Sequence, residues 1–222
     1  NLDRSGTEFV SVAADDTFTF SNSTAVIVGT QDKPFSISAW IYVDSLPFPV
    51  VTKYDQTNTL REWQFMAAAD GSISFEVYDE NTNKSASITS ATSAVTTGQW
   101  YHLVATYDGR GNTTSPPHSG MKFYKDGVEV SQSAATTAAG YVAMQFTGQL
   151  PWIGKIDNGS ALYADGQVDE VSVWSKELAS YDVKEIYNEA VPNNLKKTTA
   201  YKVDATNKLM SWWRMEWDQV IP

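Results

Sequence analysis

The chain has 222 residues, of which 42% are hydrophobic and 13% aromatic, enough to form a substantial core in one large domain. Its 26 acidic and 16 basic side chains give a net charge of −10, which argues against nucleic acid or an anionic membrane as a partner. It contains no cysteine, which excludes disulfides and thiolate metal sites. No apolar run approaches the roughly 18 residues of a membrane-spanning helix, so we expect no membrane insertion.

The first half of the chain predicts a series of short β-strands. In Phe35–Val43 every second residue is apolar and faces one side, so that Trp40 and Tyr42 face the other. Asp44–Pro49 is predicted as a loop, because prolines are disfavoured in a central strand. The other strands predicted in this half are residues 8–12, 17–20, 25–28, 50–53, 62–66, 72–78 and 86–91.

The strongest hairpin signal follows a strand predicted from Trp100 onward. Asp126 and Gly127 lie between the apolar runs 121–124 and 128–130. An Asp-Gly pair in this setting favours a two-residue turn, since both positions need a positive φ angle. The long strand and this hairpin therefore predict one continuous antiparallel unit.

The C-terminal third predicts more strands and then a helix. Residues 134–140 are small and polar and are predicted as a loop, whereas Ser180 is predicted to cap a helix that ends before Pro192. The whole pattern indicates an all-β fold, a two-sheet antiparallel β-sandwich of the jelly-roll kind with one short C-terminal helix. We predict one domain over residues 1–192 and an extension, 193–222, that returns a strand to the sandwich. The remaining strands are predicted at residues 149–154, 166–174 and 209–217.

Several phrases resemble the LamG-like jelly-roll family, which has the concanavalin A-like lectin/glucanase fold. That resemblance implies the β-sandwich but leaves the function open, because the group includes lectins, carbohydrate-binding modules, adhesion domains, glycanases and lyases. Residues 209–215 are also similar to a phrase that follows LamG-like domains in virion proteins of marine tailed phages. The LamG-like phrases are Phe35–Ile41, Gly98–Asp108, Phe123–Val128 and Gly166–Trp174, with the helix at 177–186 as the family's closing element.

The sequence gives little support for catalysis. Glycanases of this fold carry carboxylates at alternate positions of one strand, and the nearest approach here, Glu76, Asp79 and Glu80, has the wrong spacing. The two histidines, His102 and His118, form no recognisable triad or metal motif with other residues. We therefore predict that the protein is not an enzyme.

The resemblance also implies a structural calcium ion. Asp169 matches the position where many jelly-roll proteins donate a carboxylate, and Asp3 matches the partner in the opening strand. Calcium takes oxygen ligands of this kind. The alternative is that Asp169 accepts hydrogen bonds from a turn.

Aromatic residues near strand ends are the candidates for sugar binding, because sugar rings stack on exposed tryptophan and tyrosine faces. Trp40, Trp100 and Trp174 belong to the family phrases and are expected to pack between the sheets. The segment 212–217 either caps the core or docks a partner chain. The predicted ligand-binding residues are Trp152, Trp63, Tyr54, Tyr78 and Tyr141.

These observations predict a non-catalytic recognition or adhesion module on a virion or cell surface. Its expected partners are glycans or polysaccharide, together with other virion or surface proteins, and its expected location is extracellular or on the virion. One alternative is a decoration or fibre protein of a phage virion that is held by protein–protein contacts. The other is a polysaccharide-active glycanase or its carbohydrate-binding module.

Overall fold

The computed structural model describes residues 2, 5, 7–12, 17–21, 32–110, 115–202 and 208–215. Within them two sheets form a β-sandwich, as predicted, and every strand pairing is antiparallel apart from one parallel contact between Asp157 and Asp55. No helix in these ranges is long and apolar enough to cross a bilayer. The strands are β1 (Val10–Ser11), β2 (Phe35–Ser45), β3 (Phe48–Asp55), β4 (Leu60–Ala67), β5 (Ile73–Asp79), β6 (Lys84–Ser90), β7 (Trp100–Tyr107), β8 (Met121–Lys125), β9 (Val128–Val130), β10 (Gln132–Thr137), β11 (Trp152–Ile153), β12 (Lys155–Asp157), β13 (Ala161–Tyr163), β14 (Asp165–Trp174) and β15 (Leu209–Trp213).

The larger sheet has the order β1-β11-β3-β4-β5-β6-β10, with β12 and β13 attached beside β3. The smaller sheet has the order β15-β14-β2-β7-β8-β9. Two α-helices, α1 (Ser180–Tyr187) and α2 (Thr199–Lys202), follow β14, and 3₁₀ turns occur at Pro117–Gly120, Asn188–Ala190 and Leu195–Lys197. Strand β15 then pairs with β14 at the edge of the smaller sheet.

The main core lies between the two sheets and follows the alternation of the strands. Ile37, Ala39 and Ile41 of β2 point inward, and the ring of Phe35 stacks on that of Phe20 with centroids 4.1 Å apart. Because successive side chains of a strand face opposite sides, Trp40 lies on the outer face. That outer face is partly covered by the C-terminal helices.

A second apolar cluster packs these helices onto the smaller sheet. Val183 and Ile186 of α1 contact a buried group that includes Trp174 and Tyr124. Trp174 therefore lies under the helix rather than between the sheets, because Val173 beside it already faces the main core. The expectation that this tryptophan packs between the sheets is wrong for that reason.

Four local predictions fail, the first two for identifiable reasons. Residues 132–137 form an edge strand because they pair with β6, although their small polar side chains suggest a loop. Pro49 lies inside β3 at a break in its pairing with β4, where a missing N–H is tolerated. Residues 17–20 are a turn and coil, and the strand predicted at 25–28 lies outside the described residues. Helix α1 begins after Ala179 rather than after Ser180.

The predicted Asp-Gly hairpin is confirmed and is important for the site described below. Strands β8 and β9 pair from Phe123 to Val130, and the turn between them has φ angles of 50° at Asp126 and 76° at Gly127. Such angles are the reason for the Asp-Gly preference. The turn places the Asp126 side chain at one end of the smaller sheet, next to the outer face of β7.

Candidate functional site

A cleft of about 390 Å³ opens on the outer face of the smaller sheet, beside the segment that follows α1. Strands β2, β7 and β14 supply its floor and rim, and the end of α1 supplies one wall. The lining combines aromatic and acidic side chains, which is the chemistry of many polar-ligand sites. Its residues are Trp40, Trp100, Asp126, Asp169, Tyr187, Ala190 and Pro192.

Trp40 forms the floor of the cleft because of the register of three neighbouring strands. It lies opposite Asp169 of β14 on one side and opposite His102 of β7 on the other. The ring of Tyr187 stacks on Trp40 with centroids 5.7 Å apart and an angle of 23° between the planes. Trp40 is thus held between the sheet and the helix, with 9% of its surface exposed.

Trp100 is the most accessible aromatic residue of the cleft. It lies at the start of β7, opposite Tyr42, and 43% of its surface is exposed. The two rings are 5.8 Å apart and tilted by 58°. A large exposed indole ring beside a cavity is a suitable face for stacking a planar or apolar part of a ligand. The expectation that Trp40 and Trp100 pack between the sheets is wrong, because both face outward.

The Asp126 carboxylate is fixed by backbone hydrogen bonds of the neighbouring strand. Its Oδ1 accepts a hydrogen bond from the N–H of His102 at 2.9 Å, and its own N–H donates to the carbonyl of His102 at 2.8 Å. Among the described residues, nothing donates to its second oxygen, Oδ2. One carboxylate oxygen therefore holds the side chain in place and the other is available to a ligand.

The two carboxylate oxygens of Asp169 differ in the same way as those of Asp126. The pairing of β14 with β2 is interrupted between Asp169 and Ser172, and Glu170 has a φ angle of 50°. Oδ1 of Asp169 accepts hydrogen bonds from the N–H groups of Glu170 at 2.7 Å and Met215 at 2.9 Å. Within the described ranges its Oδ2 accepts none, so this oxygen is also free to receive a hydrogen bond.

The cleft has a negative electrostatic character. Its lining, as far as the structure describes it, contains two carboxylates and no basic side chain. His102 packs against both Trp40 and Tyr187, and its complete burial lowers its pKa to about 3, so it is neutral at physiological pH. Arg214, near Asp169, is paired with Glu170 at 3.2 Å.

A glycine allows the wall of the cleft to approach the hairpin turn. A Cβ atom on Gly127 would lie 2.8 Å from Cδ1 of Tyr187, whereas one on Gly140, which also has a positive φ angle, would meet nothing within 4 Å. We expect Gly140→Ala to lower the free energy of unfolding by about 1–2 kcal/mol through backbone strain alone. Gly127→Ala should cost about 1 kcal/mol more, because Tyr187 must also move.

Chemical denaturation and near-ultraviolet circular dichroism will test this pair of variants. Displacement of Tyr187 from Trp40 changes the aromatic signal of Gly127→Ala and leaves that of Gly140→Ala unchanged. Equal losses of stability with identical aromatic spectra would contradict the packing of Tyr187 on the turn.

Two of the five predicted ligand-binding residues are buried in the main core. Trp63 has no exposed surface, and its Nε1 donates to the carbonyl of Phe18 at 3.1 Å. Tyr141 is equally buried, and its hydroxyl donates to Asp32 at 2.7 Å. Because neither ring reaches the surface, the prediction that these two form an exposed stacking platform is wrong.

Tyr54 and Tyr78 lie together on the outer face of the larger sheet, but they are covered as well. Their rings meet edge to face at 5.9 Å, and Ile156 packs against them. The guanidinium of Arg61 lies 4.0 Å from the centre of the Tyr78 ring. Both tyrosines are buried, so the prediction of exposed rings is wrong here too.

Trp152 keeps an accessible, half-buried ring at the edge of the larger sheet. The Nζ atom of Lys155 lies 3.9 Å from the centre of this ring and 4.4 Å from that of Phe9, and Tyr163 completes the aromatic group. A cation over an indole face is a favourable contact. A role of Trp152 in sugar binding stays a prediction, and its lysine-covered face makes it a useful contrast to Trp100.

The calcium prediction also stays untested. Asp3 lies outside the described residues, and Oδ1 of Asp169 already accepts two backbone hydrogen bonds, as the alternative interpretation expected. In the described part of the chain no three acidic or histidine side chains group together as a metal site.

The three carboxylates that come nearest to a glycanase pattern are engaged in other contacts. Glu80 forms an ion pair with Arg61, and Glu76 accepts a hydrogen bond from Gln64. Asp79 is buried and accepts from the N–H groups of Thr82 and Val142. Each of the three carboxylates is thus occupied by a protein partner in the structure.

The tryptophans near the C-terminus pack against the chain itself. The ring of Trp213 lies 5.8 Å from that of Phe18 at the main core, and Nε1 of Trp212 donates to Glu170 at 2.5 Å. Trp217 lies outside the described residues. For Trp212 and Trp213 the structure therefore favours the core-capping interpretation.

Sequence reasoning missed Trp40, Trp100, Asp126 and Tyr187 as site residues, although one signal was available. The alternation of β2 already placed Trp40 on the face opposite to the core. Pairing β2 with β7 then brings Trp40 and Trp100 to the same outer face. The contribution of Tyr187 required knowledge of how α1 packs on the sheet.

Comparison with known proteins agrees with this architecture. A family model described as the concanavalin A-like lectin/glucanases superfamily matches residues 13–184, and no curated protein sequence matches the chain. The fold is similar to the CBM40 module of Ruminococcus gnavus IT-sialidase bound to α2,3-sialyllactose, with a TM-score of 0.52 and 12% identity over 81% of this chain and 96% of that one.

Two further solved structures are similar to this chain to different degrees. A putative carbohydrate-binding protein from Bacteroides ovatus has a TM-score of 0.51 and 16% identity, and the match covers 88% of this chain and 50% of that one. A native heptameric SAP-like pentraxin from Limulus polyphemus has a TM-score of 0.46 and 14% identity over 76% of this chain and 80% of that one. This chain thus spans half the length of the Bacteroides protein. At these identities the likeness concerns the fold alone.

Proposed function

We propose that this chain, which belongs to the concanavalin A-like lectin/glucanase superfamily, binds glycans in the cleft formed by Trp40, Trp100, Asp126, Asp169 and Tyr187. The observation that carries the proposal is the arrangement of two fixed carboxylates around an aromatic floor. Aromatic faces stack on the apolar faces of sugar rings, and carboxylate oxygens accept hydrogen bonds from sugar hydroxyls. The cleft provides both kinds of contact within one concave surface.

The cavity size and the rigidity of its groups support this proposal. About 390 Å³ is in the range of small-molecule sites. Trp40 is held between Tyr187 and the sheet, and each aspartate is fixed through one oxygen, so few side chains must be ordered when a ligand binds. Pre-ordered groups of this kind reduce the entropy cost of binding.

Recognition without catalysis is part of the same proposal. Each aspartate uses one oxygen to accept backbone hydrogen bonds, which is a positioning arrangement for a ligand contact. The two residues lie on opposite sides of Trp40 and His102 in the sheet order. The Ruminococcus module was solved bound to α2,3-sialyllactose, so this fold is used for sugar binding in another protein. An extracellular or virion-surface location belongs to the proposal as well, because exposed glycans are found there.

The variants Trp100→Ala and Trp152→Ala will test which aromatic surface binds sugar. A glycan array first identifies a ligand for the wild-type protein, and isothermal titration calorimetry then measures its affinity with calcium and again with a chelator. We expect Trp100→Ala to weaken binding about tenfold or more, because stacking on an accessible indole contributes on the order of 1–3 kcal/mol. Trp152→Ala should bind as the wild type does.

Each variant also serves as a control for the other. Both remove one indole at a surface position, so melting temperatures will show whether either change disturbs the fold. Loss of binding in Trp152→Ala with full binding in Trp100→Ala would transfer the proposed site to the edge of the larger sheet. Absence of any glycan ligand on the array would contradict the proposed function.

A further inference from the structure

We infer that the cleft selects a positively charged sugar, namely an amino sugar with a free ammonium group, over neutral and acidic glycans. This inference rests on the proposed function, because it concerns the ligand class of the same cleft. Three features carry it: two carboxylates with available oxygens, aromatic faces near them, and a lining without a basic side chain in the described ranges.

The two carboxylates line the same cleft from positions on either side of Trp40 and His102. Asp169 belongs to β14, Trp40 to the neighbouring β2 and His102 to the next strand, β7, while Asp126 lies beyond at the turn after β8. Each aspartate uses its Oδ1 for backbone N–H groups. Within the described residues Oδ2 of each has no donor, and an ammonium group supplies three.

The aromatic residues add a second interaction that prefers a cation. Trp40 is covered by Tyr187, so Trp100, with 43% of its surface exposed, offers the accessible indole face, and the negative face of an aromatic ring attracts an ammonium group, most strongly for tryptophan. Elsewhere in this chain Lys155 lies over the ring of Trp152 at 3.9 Å. A neutral sugar gains the stacking contact but not this attraction.

Among the described residues no basic side chain lines the cleft itself, although Lys184 lines an adjoining pocket together with Asp126, Tyr187 and Glu189. His102 is neutral at physiological pH because burial lowers its pKa to about 3. Arg214 forms an ion pair with Glu170, and Lys125 donates to the carbonyl of Ala94 at 2.8 Å while lying over the ring of Tyr101. The chain as a whole carries a net charge of −10. An acidic glycan therefore meets repulsion both in the cleft and on approach.

Titration with four matched oligosaccharides tests this inference. The probes are tetramers of glucosamine, of N-acetylglucosamine, of glucose and of galacturonic acid, at about pH 6, where an amine is protonated and carboxylates are ionised. At low salt we expect the glucosamine tetramer to bind about tenfold more tightly than either neutral tetramer, and the galacturonate tetramer to bind most weakly. The preference should shrink as salt is added, because partly exposed charges are screened.

Charge-neutral variants show whether the two aspartates cause the preference. Asp126→Asn and Asp169→Asn keep an oxygen for the backbone hydrogen bonds, and we expect each to reduce glucosamine binding about threefold to tenfold while changing neutral-tetramer binding less. Glu76→Gln is the matched control, because it removes one negative charge on the other sheet and should leave the preference unchanged.

The outcomes separate this inference from the proposed function. Equal binding of cationic and neutral tetramers, or tighter binding of the galacturonate tetramer, overturns the inference and leaves glycan binding in place. Failure of all four tetramers, together with a glycan array that gives no ligand, overturns both. A glucosamine preference that is equally reduced by Glu76→Gln would show a general charge effect and also overturns the inference.

Discussion

Replacing Lys53 with methionine should lower the free energy of unfolding by about 3–5 kcal/mol, the largest effect that we expect from a single substitution outside the apolar core. Lys53 and Glu62 form an ion pair with 2.9 Å between Nζ and Oε1, and neither side chain has any exposed surface. A buried carboxylate that loses its partner cannot be solvated instead. The cost is therefore that of leaving Glu62 charged, or of protonating it, inside the protein.

The network around this pair explains why the effect is large. Glu62 accepts hydrogen bonds from the N–H and the hydroxyl of Thr147, both at 2.9 Å. Thr19 connects the two charges, because it accepts from Lys53 at 2.5 Å and donates to Glu62 at 3.0 Å. The ion pair thus holds Thr19 and Thr147 against the larger sheet through hydrogen bonds. We expect the segments around both residues to become less ordered when the pair is lost.

Urea denaturation of three variants will measure this effect. Lys53→Met is compared with the double variant Lys53→Met/Glu62→Gln, which should regain at least half of the loss because no charge is left buried. Lys122→Met is the control at an exposed pair, 3.3 Å from Glu177, and should cost less than about 1 kcal/mol. Burial already raises the pKa of Glu62, and removing Lys53 raises it further, so the deficit of Lys53→Met should shrink as the pH falls. Similar losses in Lys53→Met and Lys122→Met would contradict the argument.

The free energy of unfolding should contain two pH-dependent contributions of opposite sign, from His102 and from Asp32. They should largely cancel between about pH 4 and pH 6. Burial lowers the pKa of His102 from 6.5 to about 3, so at pH values between these the unfolded chain binds a proton that the folded protein does not. Stability from His102 is therefore lost as the pH falls through this window. The maximum slope for one proton is about 1.4 kcal/mol per pH unit.

Asp32 contributes the opposite slope. Its burial raises the pKa from 3.8 to about 6, although it accepts hydrogen bonds from the hydroxyls of Tyr107 and Tyr141 and from the N–H of Met144. Between these values the folded protein holds a proton that the unfolded chain has released. Stability from Asp32 is therefore lost as the pH rises through about 4 to 6.

Two variants separate these contributions. In His102→Gln the contribution of Asp32 is no longer offset by that of His102. The free energy of unfolding of this variant should therefore fall more steeply than that of the wild type as the pH rises from about 4 to 6. In Asp32→Asn the slope of His102 is exposed, and relative stability should rise over the same window. Urea denaturation at several pH values gives the differences. Parallel profiles for wild type and both variants would show that neither group has the shifted pKa.

The alternation of strands and the Asp-Gly turn made most of the fold predictable. Phe35–Val43 is a strand because its apolar residues repeat at every second position, and the structure confirms it as part of β2. Asp126 and Gly127 fix the hairpin because few other residue pairs adopt two positive φ angles. Strand β10 was missed because its edge position depends on pairing with β6, and Ser-Ala-Ala-Thr-Thr has no apolar pattern of its own.

The site was harder to predict because it depends on contacts between distant segments. Trp63 and Tyr141 are near strand ends in the sequence. In the structure they are buried and donate hydrogen bonds to Phe18 and Asp32, and no local sequence pattern predicts these distant contacts. Asp169 was identified from a resemblance, with calcium as its expected ligand. Its place beside Trp40 follows only from the register of β14 with β2. The wall formed by Tyr187 depends on the packing of α1 over that register.

The order of strands in the smaller sheet also has a consequence for folding. Strand β2 pairs with β7 on one side, but its other neighbour, β14, begins at residue 165. During synthesis the apolar β2 therefore keeps one open edge until residues 165–174 have left the ribosome, and open edges of this kind favour aggregation. Pairing across more than a hundred residues is slow to close. Because Trp40 lies on β2 and is covered by α1, the cleft is completed only when the sheet has closed, so ligand binding reports on complete folding of the domain.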